Sequence, residues 1–399
     1  MTWQPRRRFI LKALFMSSLT TVIVIVLAEL VLRLLLPNEG YFIWPRNYDQ
    51  TLEPKASIMP GIAGKATFSV NSAGFRGSDP TPSQDYRILA IGGSTTECLF
   101  LDKNETWPHL LQENLADPGT WVGNGGMSGR TSRHHMTAVR YLPLQDLKID
   151  LVLILVGIND LTVRLALGEF YEPNFREQAW METWLLSDTF IGSNLRGGPG
   201  PYYKETMIWR LLRQAKHSFL PSGVKHDAGD FYTKLRLHRA GATDIRSTLP
   251  PMGPALEEYE KNLKETIGYA RVKGVDLVFM TQPTIWRPDL SDAELALLWL
   301  GGIGDFHHRS DCSYYSVAAL SQGISLYNET LLRVCREQGV DCFDLASNLE
   351  KDTSVFYDDV HFNEMGAEKV AELVTAYLNS RGHLTDRRDG KTVGVDSPR

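Results

Sequence analysis

Cysteine is scarce in this chain, with four residues among 399. So few cysteines over this length exclude a small domain whose fold depends on a dense set of disulfides. Charge of one sign is not in excess either, because 42 Lys and Arg residues are balanced by 47 Asp and Glu residues, for a net charge of −5. The composition therefore lacks the basic footprint of a nucleic-acid-binding protein, and we expect no nucleic-acid partner.

Repeats and nucleotide-binding loops are also missing. No sequence unit recurs at a fixed period, which excludes solenoids and propellers. The chain has no G-x-x-x-x-G-K-[ST] loop, and its glycine-rich stretch at 123–128 ends in Ser128 where the dinucleotide fingerprint requires glycine. We therefore expect no cofactor. We also expect no metal ion, since the one loose group of candidate ligands follows no metal-binding spacing: Asp305, His307, His308 and Cys312.

The most conspicuous feature that is present is an apolar run near the N-terminus. Residues 1–8 are basic, and the apolar stretch that follows predicts a transmembrane signal-anchor over residues 9–36. Glu29 and Arg33 interrupt it four residues apart and can pair on one helix face. Arginines before the run predict a cytoplasmic N-terminus, so the rest of the chain is exported from a single-pass anchor in the inner membrane. A cleaved signal peptide is the alternative, with residues 26–28 as the cleavage point.

The two cysteines nearest in sequence also bear on export. Cys335 and Cys342 are seven residues apart across a predicted helix-to-strand turn, and they could form a disulfide in an oxidising compartment. Cys98 and Cys312 have no evident partner. Four reduced thiols are an equally good interpretation, and the sequence leaves both open.

Beyond the anchor, the sequence divides into a Pro- and Gly-rich segment and one α/β domain. Residues 37–85 are interpreted as a linker that becomes a docking segment. Residues 86–380 alternate apolar strands with helical stretches, which predicts a parallel sheet covered on both faces. A long insertion over about 161–260 interrupts this alternation, and residues 381–399 have the composition of a disordered tail. The expected strands are 87–91, 121–122, 150–156, 275–280 and 340–345.

Polar motifs follow the first three of these strands. Ser94 stands at a strand-to-helix turn, where it could be a nucleophile or an ordinary helix N-cap. Gly129 could present a bare backbone N–H to a substrate oxygen or could form a tight turn. Asn159 could direct its amide at the same oxygen or cap the next helix. The carboxyl ends of parallel strands share one edge, where ligands bind in such sheets.

A fourth motif lies after the last strand and contains an aspartate three residues before a histidine. Asp358 can orient His361 through one ring nitrogen and leave the other free to accept a proton from a serine. Asp359 is the alternative partner, but the spacing of three residues favours Asp358. Asp160, beside Asn159, is interpreted as a cap or loop support.

Together these motifs resemble the conserved blocks of the SGNH hydrolases, also called GDSL esterases and lipases. The blocks correspond to 93–94, 124–129, 157–160 and 358–361, and two further segments, 71–76 and 105–108, look like a membrane-anchored branch of that superfamily. The resemblance implies a flavodoxin-like α/β/α sandwich. It implies catalysis by Ser94, His361 and Asp358, with an oxyanion hole formed by Ser94, Gly129 and Asn159. One departure is that Gly93 replaces the aspartate of the usual Gly-Asp-Ser.

The resemblance and the anchor lead to an expected function. We expect a membrane-anchored serine esterase that removes O-acyl groups, in particular acetyl groups, from a cell-envelope or secreted glycan. Its partners would be an acyl ester substrate and the membrane, reached through the N-terminal helix. Three alternatives stay open: an O-acyltransferase to a glycan, a lipid esterase, and a non-catalytic glycan-binding or assembly factor.

Overall fold

The computed structural model describes residues 4–35, 40–173, 179–191, 206–209, 211–212 and 229–383. Most of the tail that the sequence assigns to disorder, residues 384–399, lies outside these ranges. Much of the middle of the expected insertion lies outside them as well.

The first element is the long helix α1 (Gln4–Leu35). Its stretch from Lys12 to Leu35 has a mean hydropathy of 2.3 over its most apolar window, and none of that window is buried in the protein. Arg33 Nε donates to Glu29 Oε1 at 2.7 Å, so the two charges within the apolar run pair as their spacing predicts. This helix is long and apolar enough to span a membrane, a test that a signal sequence also passes.

Residues 40–77 form a segment that we call the N-terminal arm. It contains the antiparallel pair β1 (Asp49–Leu52) and β2 (Ala66–Ser69). Phe42, Ile43 and Phe75 are buried, and the arm also reaches the far end of the chain, where Ala63 N donates to Glu364 Oε1 at 2.6 Å. The interval expected to be partly a linker is thus packed on the domain from residue 40 onward.

The sheet follows the arm, and its strands form where continuous apolar runs occur. All six residues of the strand at 151–156 are buried, as expected for a central strand covered on both faces. Seven strands follow the arm in chain order: β3 (Tyr86–Gly92), β4 (Thr120–Gly126), β5 (Leu151–Val156), β6 (Ile245–Arg246), β7 (Asp276–Thr281), β8 (Tyr314–Tyr315) and β9 (Asp341–Phe343). Five of them form one parallel sheet in the order β4-β3-β5-β7-β9, and β6 pairs with β8 outside it.

Helices cover the two faces of this sheet. They are α2 (Ser94–Glu97), α3 (Trp107–Leu115), α4 (Ser132–Tyr141), α5 (Ile158–Leu167), α6 (Ala179–Thr189), α7 (Asp230–Ala240), α8 (Gly253–Lys273), α9 (Asp292–Leu295), α10 (Val317–Gln338) and α11 (Glu364–Ser380), with short 3₁₀ turns at Gly168–Phe170 and Leu345–Ser347. α3 packs against α11, while α8 packs against α4 and α10. When only the five strands of this sheet are numbered in chain order, their order across the sheet is 2-1-3-4-5. This is the flavodoxin-like order, so the flavodoxin-like α/β/α fold is confirmed.

Two boundaries differ from the expected ones. The insertion expected at 161–260 contains α6 and α7, but its edges belong to α5 and α8, which pack in the domain. The last strand has three residues rather than six. Its residues are only half-buried, and the chain turns into the 3₁₀ turn at Leu345, so the ladder ends early.

Cys335 and Cys342 form a disulfide, with their Cα atoms 6.0 Å apart. The bond connects the last turn of α10 to β9. The sequence leaves open a disulfide or reduced thiols, and the structure contains the disulfide. Cys98 and Cys312 are free thiols, the first buried and the second half-buried.

Candidate active site

The fold brings Ser94, His361 and Asp358 into one hydrogen-bonded row. Ser94 Oγ lies 2.7 Å from His361 Nε2, and His361 Nδ1 lies 2.7 Å from Asp358 Oδ2. Ser94 is the first residue of α2, and Gly93 is the N-cap, so the serine side chain does not cap its helix. A hydroxyl bonded to an imidazole whose other nitrogen meets a carboxylate can pass its proton to the ring and attack a carbonyl carbon.

Asp358 is buried, and both of its carboxylate oxygens accept hydrogen bonds. Its Oδ1 accepts the backbone N–H groups of Val360 and His361, and its Oδ2 accepts the indole N–H of Trp299 at 2.9 Å. Burial alone would raise the pKa of Asp358, but the neighbouring His361 and these backbone donors hold it below its usual value. The carboxylate is therefore charged at neutral pH and fixed in orientation.

His361 is buried, and aromatic rings pack around it. The ring of Tyr357 lies parallel to it with centroids 5.5 Å apart, and Tyr232 of α7 meets it edge-on at 6.0 Å. Burial would lower the pKa of His361, but the charge of Asp358 and its hydrogen bond raise the pKa above its usual value. The charged form of the ring is thereby stabilised.

Asp359 has a different set of partners from Asp358. It accepts the indole N–H of Trp286 at 2.9 Å and the backbone N–H groups of Trp299 and Leu300. Burial raises its pKa, with Arg239 acting in the opposite direction. Asp359 therefore holds the loop that contains Trp299, and Asp358 is the residue that meets the histidine.

The three expected oxyanion donors come from the ends of β3, β4 and β5. Asn159 Nδ2 donates to the carbonyl of Arg130 at 2.9 Å, which leaves the second hydrogen of the amide for another acceptor. Gly129 has φ of +78°, and a Cβ built there would point into open space. Asn159 also lies against Gly93, the residue before Ser94.

Gly93, which stands where the usual motif has aspartate, lies in contact with Asn159. A Cβ at Gly93 would overlap Asn159 Nδ2, so any side chain there would displace that amide. A different carboxylate supports the loop instead. Glu97, at the end of α2, accepts the Ser128 N–H at 2.6 Å and also the Ser128 hydroxyl, next to Gly129. Burial raises the pKa of Glu97, and the Ser128 donors and the charge of Arg76 partly offset this.

Arg76 binds backbone carbonyls at the C-terminal end of α2. Its guanidinium is buried and donates to the backbone carbonyls of Cys98 at 2.6 Å and Thr67 at 3.3 Å, and also to those of Glu97 and Leu101. Burial lowers its pKa to about 10, so it is cationic at neutral pH. The arm thereby contributes a donor to carbonyls at the end of α2, which have no partner within the helix.

The remaining candidates from the sequence have structural partners. Asp160 accepts the Ser132 backbone N–H and hydroxyl at the start of α4, and burial raises its pKa to about 7. His308 bonds Asp305 on the surface. Within the described ranges, no group of three or more His, Cys, Asp or Glu side chains could hold a metal ion.

Several of these roles were not assigned from the sequence. Glu97, Arg76 and Trp299 contact the row or its helix, and of these only Arg76 lies in a segment that the sequence singled out. The buried indole of Trp299 donates to Asp358. Only the position of Glu97, three residues after Ser94, could have suggested a role.

One family of known proteins matches most of this domain. The sequence profile described as the GDSL-like Lipase/Acylhydrolase family matches residues 90–369. A search of curated protein sequences finds no significant match. Among solved structures, the chain is similar to an acetylxylan esterase from Geobacillus stearothermophilus (15% identity, 74% of this chain and 94% of that one, TM-score 0.37). It is also similar to a member of the lipolytic protein G-D-S-L family from Veillonella parvula (12% identity, 74% and 98%, TM-score 0.38) and to a GDSL-like lipase from Bacteroides thetaiotaomicron (10% identity, 76% and 91%, TM-score 0.37).

The profile match spans more than half of the chain and includes Ser94, Gly129, Asn159, Asp358 and His361. It therefore covers the sheet from the last residues of β3 onward and the loop that precedes α11. The chain is an ester hydrolase and belongs to the GDSL-like lipase/acylhydrolase family.

Proposed function

We propose that this protein is an exported, membrane-anchored serine esterase that removes O-acetyl groups from a cell-envelope or secreted glycan. The observation that supports the serine mechanism is the continuous row from Ser94 Oγ through His361 to Asp358, with both contacts at 2.7 Å. The anchor is α1, which would hold the enzyme at the outer face of the membrane. An enzyme in that place meets envelope and secreted polymers, and this location supports the choice of glycan.

The mechanism follows from the geometry. Ser94 Oγ attacks the ester carbonyl carbon while His361 Nε2 takes the serine proton, and Asp358 stabilises the resulting imidazolium. The tetrahedral oxyanion accepts hydrogen bonds from the backbone N–H groups of Ser94 and Gly129 and from the Asn159 amide. Loss of one such donor typically costs about 2.7–4 kcal/mol. His361 then protonates the leaving alcohol, and a water, activated by His361, hydrolyses the acyl-enzyme.

We expect the full-length protein in detergent to release acetate from an O-acetylated polysaccharide and to prefer p-nitrophenyl acetate over long-chain esters. A preference for short acyl chains follows from the proposal that the ester is an O-acetyl group. Acetate release is measured by an enzyme-coupled assay, and the chain-length series from two to twelve carbons by nitrophenol absorbance.

Other outcomes identify the alternatives. Preference for long acyl chains would make the protein a lipid esterase. Acetyl transfer to an added, deacetylated glycan faster than hydrolysis would make it an acyltransferase. If Ser94 is not labelled by a fluorophosphonate and no ester is cleaved, the serine mechanism is wrong and a binding role replaces it.

The rate should rise with pH through the pKa of His361. The neutral ring is the base, and the pKa of His361 lies above its ordinary value of 6.5, so protonation removes activity below that raised pKa. Asp358→Asn removes the charge that raises it, and we expect the midpoint to move to lower pH and kcat to fall by about 10⁴-fold. The measurement is kcat/KM between pH 5 and 9.

Asp305→Asn is the matched control, because Asp305 is exposed and bonds only His308 among the side chains described. It should leave the midpoint unchanged. A flat wild-type profile across this range would show that His361 is not the base.

A further inference from the structure

The connection between α1 and the domain is too short to be a free tether. α1 ends at Leu35, and the arm is packed from residue 40, with the Tyr41 ring 5.2 Å from Tyr141 and 4.9 Å from Phe190. Five Cα steps separate Leu35 from Gly40, a span of at most about 18 Å. If α1 crosses a membrane, the surface around Tyr41 lies within that distance of the end of the helix.

The insertion contacts α1 directly. The backbone N–H groups of Met207 and Ile208 donate to the Glu29 carboxylate at 2.9 and 3.1 Å. The same carboxylate accepts Arg33 Nε, so it joins the insertion to the anchor helix. A groove between the two is mostly apolar, lined by Ile25, Val26 and Leu30 on α1 and by Ile208, Trp209 and Leu212 on the insertion.

The position of this contact along α1 gives its depth. Glu29 lies six residues before Leu35, or about 9 Å along the helix axis, and Ile25 about 15 Å. The apolar stretch from Lys12 to Leu35 is about 36 Å long by the same rise, slightly more than a hydrocarbon core of about 30 Å. Residues 25–30 therefore fall in the outer half of that core. Backbone N–H groups at such a depth need an acceptor from the protein, and Glu29 provides it.

We infer that the side chains of Ile208, Trp209, Leu211 and Leu212 lie in the outer leaflet of the membrane and cover α1 there. We call these four residues the leaflet surface. Trp209, Leu211 and Leu212 are each more than a third exposed in the protein, and they continue the exposed apolar surface of α1. Acyl chains of the outer leaflet are the occupant that matches this continuity. The inference rests on the proposed function, in that α1 is retained as an anchor.

This contact has a consequence for the candidate site. Asp188 of α6, in the same insertion, pairs with Arg130, which follows Gly129, and Phe190 packs on Tyr41 beside the anchor. One insertion thus contacts both the membrane helix and the loop that contains an oxyanion donor. The domain is held on the membrane surface, and its ester substrate is met there.

The test measures the depth of single labels in the full-length protein in phosphatidylcholine–phosphatidylglycerol nanodiscs. Leu212→Cys is labelled with the fluorophore NBD in a background with Cys312→Ser, since Cys98 is buried and the other two cysteines form a disulfide. We expect blue-shifted emission, quenching by doxyl-labelled lipid, and at least about threefold less quenching by aqueous iodide than at a water-exposed position.

Two matched labels make every outcome decisive. Leu237→Cys on α7 is an equally exposed leucine and should be quenched by iodide, while Val26→Cys on α1 should be quenched by lipid. If position 26 is in lipid but position 212 behaves as position 237 does, the leaflet surface is refuted and the anchor stands. If position 26 is absent from the mature protein or is in water, the anchor itself is refuted, and the docking with it.

Glu29→Ala is a second variant, which tests the same contact from the side of α1. Removing the acceptor should release the segment, so that NBD at position 212 shifts to the red, whereas Glu29→Gln keeps an acceptor oxygen and should retain the blue emission. Identical spectra for Glu29→Ala and the unchanged chain would contradict the contact. Esterase activity of each labelled protein, which does not depend on the label's depth, confirms that it is folded.

Discussion

Ser94→Ala is expected to lower kcat for ester hydrolysis by at least about 10⁴-fold while the protein stays folded. The substitution removes the oxygen that would attack the substrate, and no other hydroxyl takes its place beside His361 Nε2 in the described part of the chain. It breaks one side-chain hydrogen bond, so the free energy of unfolding should fall by only about 0.5–1.5 kcal/mol. Steady-state hydrolysis of p-nitrophenyl acetate and thermal melting measure the two quantities.

Ser325→Ala provides the control, because Ser325 is an exposed helical serine bonded only to the carbonyl one turn before it. It should change neither quantity. His361→Asn is the companion variant, since its amide can still donate to Asp358 but has no ring nitrogen to face Ser94. Activity of Ser94→Ala within tenfold of the unchanged protein would mean that Ser94 is not the nucleophile.

Arg76→Ala is expected to lower the stability of the protein far more than Ser94→Ala does. The four carbonyls that accept from Arg76 would lose a buried donor, and each carbonyl left unsatisfied costs about 1–3 kcal/mol. A total of about 3–6 kcal/mol follows once the loop relaxes, which corresponds to a fall in Tm of roughly 6–24 °C at about 2–4 °C per kcal/mol. Activity should fall as well, since the end of α2 would move.

Arg246→Ala is the matched control for Arg76. Arg246 is half-exposed and pairs with Asp244 at 3.6 Å, and such surface pairs contribute about 0–1 kcal/mol. Arg76→Lys should be intermediate, because lysine keeps the charge but cannot reach carbonyls in four directions. If Arg76→Ala and Arg246→Ala have the same Tm, the hydrogen bonds from the arm to the carbonyls of α2 do not stabilise the protein.

The sheet could be predicted from the sequence because its signals are local. A run such as 151–156 is apolar throughout and ends at glycine, and these properties predict a buried strand without knowledge of its neighbours. The motifs after the strands were predicted to share an edge for the same reason, since parallel strands place their carboxyl ends together. The weak last strand was overestimated, because three half-buried residues and a following 3₁₀ turn resemble a longer strand in sequence.

The supports of the candidate site could not be predicted, because their partners are distant in sequence and carry no periodic pattern. Arg76 donates to carbonyls 21 to 25 residues later, and Trp299 meets Asp358 across 59 residues. Backbone carbonyls accept hydrogen bonds from any donor, so the residues around them do not indicate that an arginine binds there. The disulfide was left open for a related reason, since the spacing of two cysteines permits a bond without requiring it.

The N-terminal arm has a consequence for how this enzyme could be switched off by proteolysis. Arg76 bonds the helix that begins with Ser94, and Ala63 bonds Glu364, just after His361, so one arm braces two groups that are 267 residues apart in sequence. Lys55 and Lys65 lie exposed on the same arm. A trypsin-like protease that cuts after Lys65 separates Ala63 from Arg76 and so divides the shared brace, and we expect activity to fall although the cut is far in sequence from the serine and the histidine.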